Sequence, residues 1–486
     1  MAQMTTTGVD GSGRLDGQVL PTVIQGGMGV AVSSWQLAKA VALAGQLGVV
    51  SGTALDVVVA RRLQDGDLDG GIRRALEDFP VPAIADHVMH KYFIEGGKAP
   101  GKPYAPVPKL GLKATVKALE LSVIANYAEV WLAKEGHDGL VGINFLEKIQ
   151  MATPSAAYGA MLAGVDYVLM GAGIPSEIPR MLTELARQDP SEINLHVIGG
   201  TENYSVGLDP VELTGGGLAP LRRPHFLAIV SSHVLSAYLA KDEATRPDGF
   251  VVEGPPAGGH NAPPRGRMVL DDDGQPIFGP RDDADLVKVA DVGLPFWLAG
   301  GYGTPEKVAE ALAAGAAGVQ VGTLFSLSEE SGLEISLRKE MLSGLADGSL
   351  KVRTDPRASP TGFPFKVATV AGTQSDEAVH QARPRLCDVG HLRVAYEKEP
   401  GTVGYRCPSE PVHMFLKKGG SIEDTVGRKC LCNALLTNVA LGQTRKDGYR
   451  EEALVTLGAD LGGVTELLAA YPGGWSATEA VRFLVE

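Results

Sequence analysis

Short runs of β-branched and other apolar residues, most ending in Gly, Ser or Thr, recur along the chain and are mostly separated by stretches of helical character. The first is Thr22-Val23-Ile24, which runs into Gln25-Gly26-Gly27-Met28-Gly29. An Ala- and Leu-rich helix is predicted over Trp35 to Ala44, followed by Leu47 to Val50 ending at Ser51-Gly52-Thr53. Further strand-like runs cover Leu140 to Phe145, Tyr167 to Gly173, Phe226 to Ser232, Phe250 to Gly254, Pro295 to Gly301 and Gly318 to Gly322. Buried strands alternating with helices indicate a parallel sheet covered by helices. Glycines gathered at the C-terminal ends of the strands suit a (β/α)₈ TIM barrel, whose working face lies there. An open doubly wound sheet gives a similar alternation. The barrel is preferred because eight units precede residue 330 and two late glycine turns are adjacent in order.

Around this barrel, expected over residues 21–330, the pattern predicts three additions. A helical insertion follows the second strand over about residues 80–136, with a Pro/Gly-rich middle (Gly96 to Pro108) and a strongly helical run from Leu112 to Lys134. Leaving the barrel on the face where βα loops gather, it is expected to cover the mouth, with Tyr92, Phe93, Tyr104 and Tyr127 lining an apolar pocket. An outside oligomer contact is the alternative. A second insertion, between the fourth and fifth strands, contains Asn194 to Gly199 and Thr214-Gly215-Gly216-Gly217. Residues 331–486 read as a mostly helical C-terminal extension holding all four cysteines, and residues 1–20 as a disordered lead-in.

Composition narrows the partners more than the fold. Apolar residues make up 44% and charged residues 21%, close to globular averages, so a large core can be buried. The net charge of −13 with no basic stripe argues against nucleic acid or an anionic membrane as a partner. No apolar run reaches the ~20 residues that span a bilayer, and the first residues lack the basic and apolar regions of a signal peptide. Few cysteines for the length point to a reducing compartment, so a cytoplasmic setting is expected. A homo-oligomer stays open.

The candidate chemistry sits at the strand ends. Leu298-Ala299-Gly300-Gly301-Tyr302-Gly303-Thr304-Pro305 leads into a helix, with Thr304 as N-cap and Pro305 at the first helical position. Val321-Gly322-Thr323 ends the next strand. Loops after the seventh and eighth barrel strands commonly hold a phosphate through backbone N–H groups, which glycine lets approach closely; ordinary strand-to-helix turns are the plainer reading. Gly26, Gly27 and Met28 offer a surface nearly free of side chains for a flat isoalloxazine ring, or a simple tight turn. In Glu253-Gly254-Pro255-Pro256-Ala257-Gly258-Gly259-His260-Asn261, a histidine follows two glycines at a strand end. Its imidazole titrates near neutral pH and suits a general base; a structural histidine is the alternative.

Taken together, QGGMG after the first strand, GINFL in the third unit, EGPPAGGH in the sixth, AGGYGTPE in the seventh and VGTLF in the eighth resemble the nitronate monooxygenases. The likeness covers roughly residues 20 to 330. It implies an FMN barrel with Gly26, Gly27, Met28 and Asn144 near the flavin, and Gly258, Gly259, Gly300, Gly301, Gly322 and Thr323 about its phosphate. It also implies His260 as the catalytic base, a small-molecule substrate, and O₂ as oxidant of a nitronate or nitroalkane. The insertions and the proline-rich stretch after His260 depart from simple members and resemble trans-acting enoyl reductases. NAD(P)H-driven reduction of an activated C=C bond is therefore a second expectation, and a flavin-binding accessory protein without turnover a third.

Cys387, Cys407, Cys430 and Cys432 cluster near His391 and His413. No Cys-x-x-Cys or finger spacing is present, so they are expected to be core cysteines, with no metal site; zinc, an iron–sulfur cluster or a redox role are the alternatives.

Overall fold

The computed structural model describes residues 14–15, 18–243 and 245–486. Most of the expected lead-in lies outside the described residues; within it, Arg14–Leu15 and Gln18–Val19 pair as a short antiparallel ladder.

The eight strand-like runs form one parallel sheet. In chain order they are β1 (Val23–Gln25), β2 (Gly48–Ser51), β3 (Val141–Leu146) and β4 (Tyr167–Gly171). The second half is β5 (His225–Val230), β6 (Gly249–Glu253), β7 (Phe296–Ala299) and β8 (Gly318–Val321). Neighbours run β1-β8-β7-β6-β5-β4-β3-β2. The ring closes between β1 and β2, where Gln25 N–H donates to Leu47 O at 3.0 Å and Leu47 N–H to Val23 O at 3.1 Å. The chain is a (β/α)₈ barrel, as the pattern predicts.

Both faces of the strands are buried, which explains why the runs read as continuous apolar stretches. Residues pointing inward pack as a separate cluster that includes Ile24, Val49, Leu169, Leu227, Val251 and Trp297. Their neighbours of opposite parity, such as Val23, Val50, Val168, Phe250 and Leu298, pack outward against the helices. The Trp297 indole N–H inside the barrel donates to Pro21 O at 2.8 Å, so its one polar atom is satisfied. At the strand N-terminal ends, Asp166 holds Lys134 at 2.6 Å and Asp248 holds Arg223 at 2.8 Å. These pairs brace the face of the barrel opposite the site.

The helical insertion does not cover the mouth. Its long helix, Val116–Lys134, is buried along nearly its whole length and packs against the helices Trp35–Leu43, Leu55–Gln64 and Thr153–Leu162, within the outer layer. Glu129 on that helix is fully buried and pairs with Arg62. Two of the aromatics expected in a pocket are anchored elsewhere: the Tyr104 hydroxyl donates to Asp65 at 2.7 Å and the Tyr127 hydroxyl to Asp78 at 3.0 Å. No residue between 80 and 136 lines the main cavity. The physical reason is the helix itself: with apolar residues on every side, it is stable only when enclosed on every side.

The C-terminal extension takes the covering role and is less helical than its pattern suggests. It carries the helices Ile335–Ala346, Leu431–Thr437, Gly462–Ala470 and Ala477–Val485, but also two antiparallel ladders. Val352–Asp355 pairs with Phe365–Ala368, and Val394–Glu399 with Thr402–Arg406. The second ladder also takes Val197–Ile198, from the insertion after β4, as a parallel edge. No helix among the described residues is long and apolar enough to cross a membrane.

Candidate active site

A cavity of about 250 Å³ opens at the C-terminal ends of the barrel strands. The loop after β1 forms one wall, and its shape is set by two buried side chains at its ends. Gln25 accepts Val49 N–H at 2.9 Å and donates to Ser33 Oγ at 2.8 Å. The Ser33 hydroxyl donates to Gly26 O at 2.8 Å and accepts Met28 N–H at 2.9 Å. Gly26 N–H is tied to Val321 O at 2.9 Å, which joins this loop to the end of β8. Gly27 leaves no room for a side chain: a Cβ there lies 2.3 Å from Asn144 Cβ.

Asn144, near the end of β3, donates its amide to Gly27 O at 3.4 Å, and its Oδ1 is buried without a partner among the described residues. Gln320 Oε1, on β8, is likewise buried and unpaired. Both residues line the cavity. A native structure rarely leaves such acceptors unsatisfied, so a donor-bearing ligand suits them. Gly300 and Gly301 have φ of +88° and +91°, and a Cβ on Gly300 meets Gly254 O at 2.8 Å. Thr304 caps the following helix, accepting Lys307 N–H at 3.3 Å, with Pro305 in its first turn.

All eleven residues singled out from sequence line this one cavity: Gly26, Gly27, Met28, Asn144, Gly258, Gly259, His260, Gly300, Gly301, Gly322 and Thr323. His260 Nε2 lies 2.7 Å from Ser359 Oγ, and its ring stands edge-on to Phe365 with centroids 4.9 Å apart. Backbone bonds from Asn261 N–H to Pro364 O and from Lys366 N–H to Gly259 O, both 2.9 Å, clamp the loop on either side. Burial depresses the His260 pKa to about 4, so the ring is neutral at pH 7 and able to accept a proton.

Several lining residues escape a sequence reading. Glu253 stands at the head of the quoted histidine motif, a carboxyl at the end of a buried strand, and that position was its only signal. Burial pushes it up to about 8, against the opposing pull of Lys366, which burial in turn pushes down to about 8. Thr456, Gly458 and Asp460 come from the extension. Gly259 N–H donates to Thr456 Oγ1 and Gly458 N–H to Thr323 Oγ1, both at 2.9 Å, and Ala459 N–H to Pro256 O at 2.8 Å. The Asp460 carboxylate reaches within 3.3 Å of where a Gly301 Cβ would stand. His391, Leu431, Cys432 and Leu435 complete the wall.

The four cysteines are free. Burial pushes Cys407 up to about 12 and Cys432 to about 11, and raises Cys387 and Cys430 as well, so all four are thiols at neutral pH. Among the described residues no group of three or more His, Cys, Asp or Glu side chains is arranged to hold a metal ion. Cys432 on the cavity wall is the position the sequence did not suggest.

Residues 220–359 match the family model of the nitronate monooxygenases, a span that runs from before β5 past β8 to Ser359. Over 156 residues the chain is 28% identical to the Mycobacterium tuberculosis (3aS,4S,5R,7aS)-5-hydroxy-7a-methyl-1-oxo-octahydro-1H-indene-4-carboxyl-CoA dehydrogenase. That alignment spans 32% of this chain and 39% of the relative, well under half of either. Among solved structures, FabK from Thermotoga maritima has a TM-score of 0.46 at 15% identity, covering 96% of this chain and 91% of that one. Nitroalkane oxidase from Streptomyces ansochromogenes has a TM-score of 0.45 at 15% identity, covering 96% and 94%.

Proposed function

We propose that this chain, an oxidoreductase carrying a nitronate monooxygenase domain over residues 220–359, holds FMN at the barrel mouth and uses O₂ to oxidise a nitronate, nitroalkane or similarly activated carbon acid. The observation that carries the reading is the joining of the glycine wall, the two unpaired amide oxygens and a neutral imidazole in one cavity. The residues fit the cofactor. Gly26 and Gly27 leave a flat face, Asn144 Oδ1 and Gln320 Oε1 await N–H donors of a heterocycle, and Gly300, Gly301, Gly322 and Thr323 leave backbone open to a phosphate. No Gly-x-Gly-x-x-Gly turn follows β1, which favours FMN over a dinucleotide. The Asp460 carboxylate works against a phosphate beside Gly301, so the cradle is weaker than its glycines alone suggest.

Bound FMN would supply the electron acceptor. The chain's own part is to hold the substrate and move its proton. His260 takes the proton from the carbon beside the electron-withdrawing group, and the electron pair of that C–H bond stays on the substrate. Ser359 fixes the ring through Nε2, and the role assigns the ring to the tautomer that donates through Nε2–H and accepts at Nδ1. Phe365 and Ser359, both from the extension, pack against the ring and hold its orientation. The four free thiols support a reducing, cytoplasmic setting.

One observation favours a second reading. The partial relative acts on a carboxyl-CoA substrate, which supports exchange of reducing equivalents with an acyl thioester, including NAD(P)H-driven reduction of its C=C bond. Anaerobic mixing separates the readings. Nitronate bleaches the bound flavin under the first, and NAD(P)H does so under the second. Neither bleaches it if the chain binds flavin without turnover.

A further inference from the structure

The cavity has a second imidazole, and it is held differently from the first. His391 comes from the C-terminal extension and lines the main cavity as well as two small adjoining ones. Its Nε2 lies 3.0 Å from Asp56 Oδ1, with side-chain exposures of 10% and 7%. Asp56 is in the first turn of the helix Leu55–Gln64 after β2, where its Oδ1 also accepts Val57 N–H at 2.9 Å. The residue before that helix, Ala54, lines the cavity in the left-handed region at φ +56°. A non-glycine residue held there is strained, and such strain gathers where a side chain must be aimed. The pair joins residues 335 positions apart.

A buried carboxylate needs a positive partner. Burial works to raise the Asp56 pKa, but the charge and hydrogen bond of His391, together with backbone N–H bonds from Asp56 and Val57, hold the group below its ordinary value. Lys109 and Arg393 line the small cavity behind the pair and add positive charge at this end. The other ring nitrogen of His391, Nδ1, has no protein hydrogen bond among the described residues. His260, by contrast, meets the Ser359 hydroxyl and the edge of Phe365, with no carboxylate partner among the described residues.

We propose that His391, oriented and charge-paired by Asp56, is the substrate-oxygen donor of this site, binding the nitronate, enolate or other small oxyanion through Nδ1–H. This rests on the oxidoreductase reading above and divides the labour: His260 takes the proton, and His391 receives the negative charge that its removal leaves on oxygen. A charge-assisted hydrogen bond to that oxygen is stronger than one from a neutral donor. It gains most when the substrate becomes an anion, so it favours the product of deprotonation. Asp56 is a positioning residue.

The test is calorimetric binding of propionate and of nitrate, two unreactive oxyanions, to flavin-loaded protein. Both should bind the parent. His391→Gln should weaken them about tenfold or more and raise the KM for nitronate with little change in kcat, while flavin content and melting temperature hold. His260→Asn should leave anion affinity within about twofold. Asp56→Asn, which removes the charge and keeps the shape, should weaken both anions severalfold while flavin content holds, and Asp56→Glu should restore part of that affinity, a rescue that a merely structural tether does not produce. Parent-like anion binding by His391→Gln, or no anion binding by the parent, overturns the proposal. If anions bind as described but neither nitronate nor NAD(P)H bleaches the flavin, the functional reading fails while the anion site stands.

Discussion

Gly27→Ala isolates the flavin-facing wall, because the glycine is required by one contact and not by its backbone angles. The added Cβ falls 2.3 Å from Asn144 Cβ and 3.1 Å from its Cγ, against about 3.5–4.0 Å for carbon atoms at optimal separation. Asn144 or the Gly26–Gly29 loop must therefore move by about 1 Å. Overpacking of this size typically costs ~1–3 kcal/mol, and the loop cannot yield freely because Ser33 and Gln25 hold it from behind. If that strain falls on the bound state, the Kd for FMN rises roughly 5- to 150-fold. The assay is titration of apoprotein with FMN, read by quenching of flavin fluorescence, with melting temperature as the folding control. The double variant Gly27→Ala/Asn144→Gly removes the colliding Cβ and should recover most of the fold-related loss. Parent-like FMN affinity in Gly27→Ala would refute the claim that this wall touches the flavin.

His260→Asn should slow oxidation of a neutral nitroalkane ~10²–10⁴-fold and largely spare preformed nitronate, as stopped-flow flavin reduction will show; equal turnover of both substrates would assign the ring a structural role. In the parent, the acid limb of kcat/KM for nitroalkane should fall near pH 4, not near 6.5, because burial depresses the His260 pKa to about 4. His260 and His380 both sit near 4 against an ordinary 6.5, so between those values the unfolded chain binds more protons than the folded one. Melting temperature should therefore drop as pH falls from about 6.5 to about 4, and His380→Asn should flatten that slope. Asp460→Asn removes a negative charge beside the proposed phosphate site; at ~1 kcal/mol for a water-screened pair it should tighten FMN roughly fivefold, and an unchanged Kd would place the phosphate elsewhere.

What could be read from the chain was whatever is local. Strands buried on both faces announce themselves as apolar runs, and most barrel strands end in Gly, Ser or Thr. For that reason Gly26 to Met28, His260, Gly300, Gly301, Gly322 and Thr323 stand out at strand ends, and the family resemblance adds Gly258, Gly259 and Asn144 to one mouth. The cover of that mouth is not legible in the same way. Proximity to β2 pointed to residues 80–136, yet the helix Val116–Lys134 is apolar on all sides and belongs in the outer layer. The segments that do close the cavity, around His391, Cys432 and Thr456 to Asp460, lie in irregular or short elements with no period to read. Asp56 and His391 meet only because the extension folds back across the whole barrel, and nothing in either local sequence announces a partner so distant.

Electrons from an activated carbon acid are proposed to enter a flavin held at this mouth. The direct measurement is anaerobic stopped-flow mixing of the flavin-loaded protein with a preformed nitronate, followed by admission of O₂. Nitronate is expected to bleach the visible flavin absorption, O₂ to restore it, and NAD(P)H alone to do little. Bleaching by NAD(P)H but not by nitronate would contradict the monooxygenase assignment and turn the site into a reductase. A flavin that neither reagent bleaches would contradict the enzymatic account of this cavity altogether.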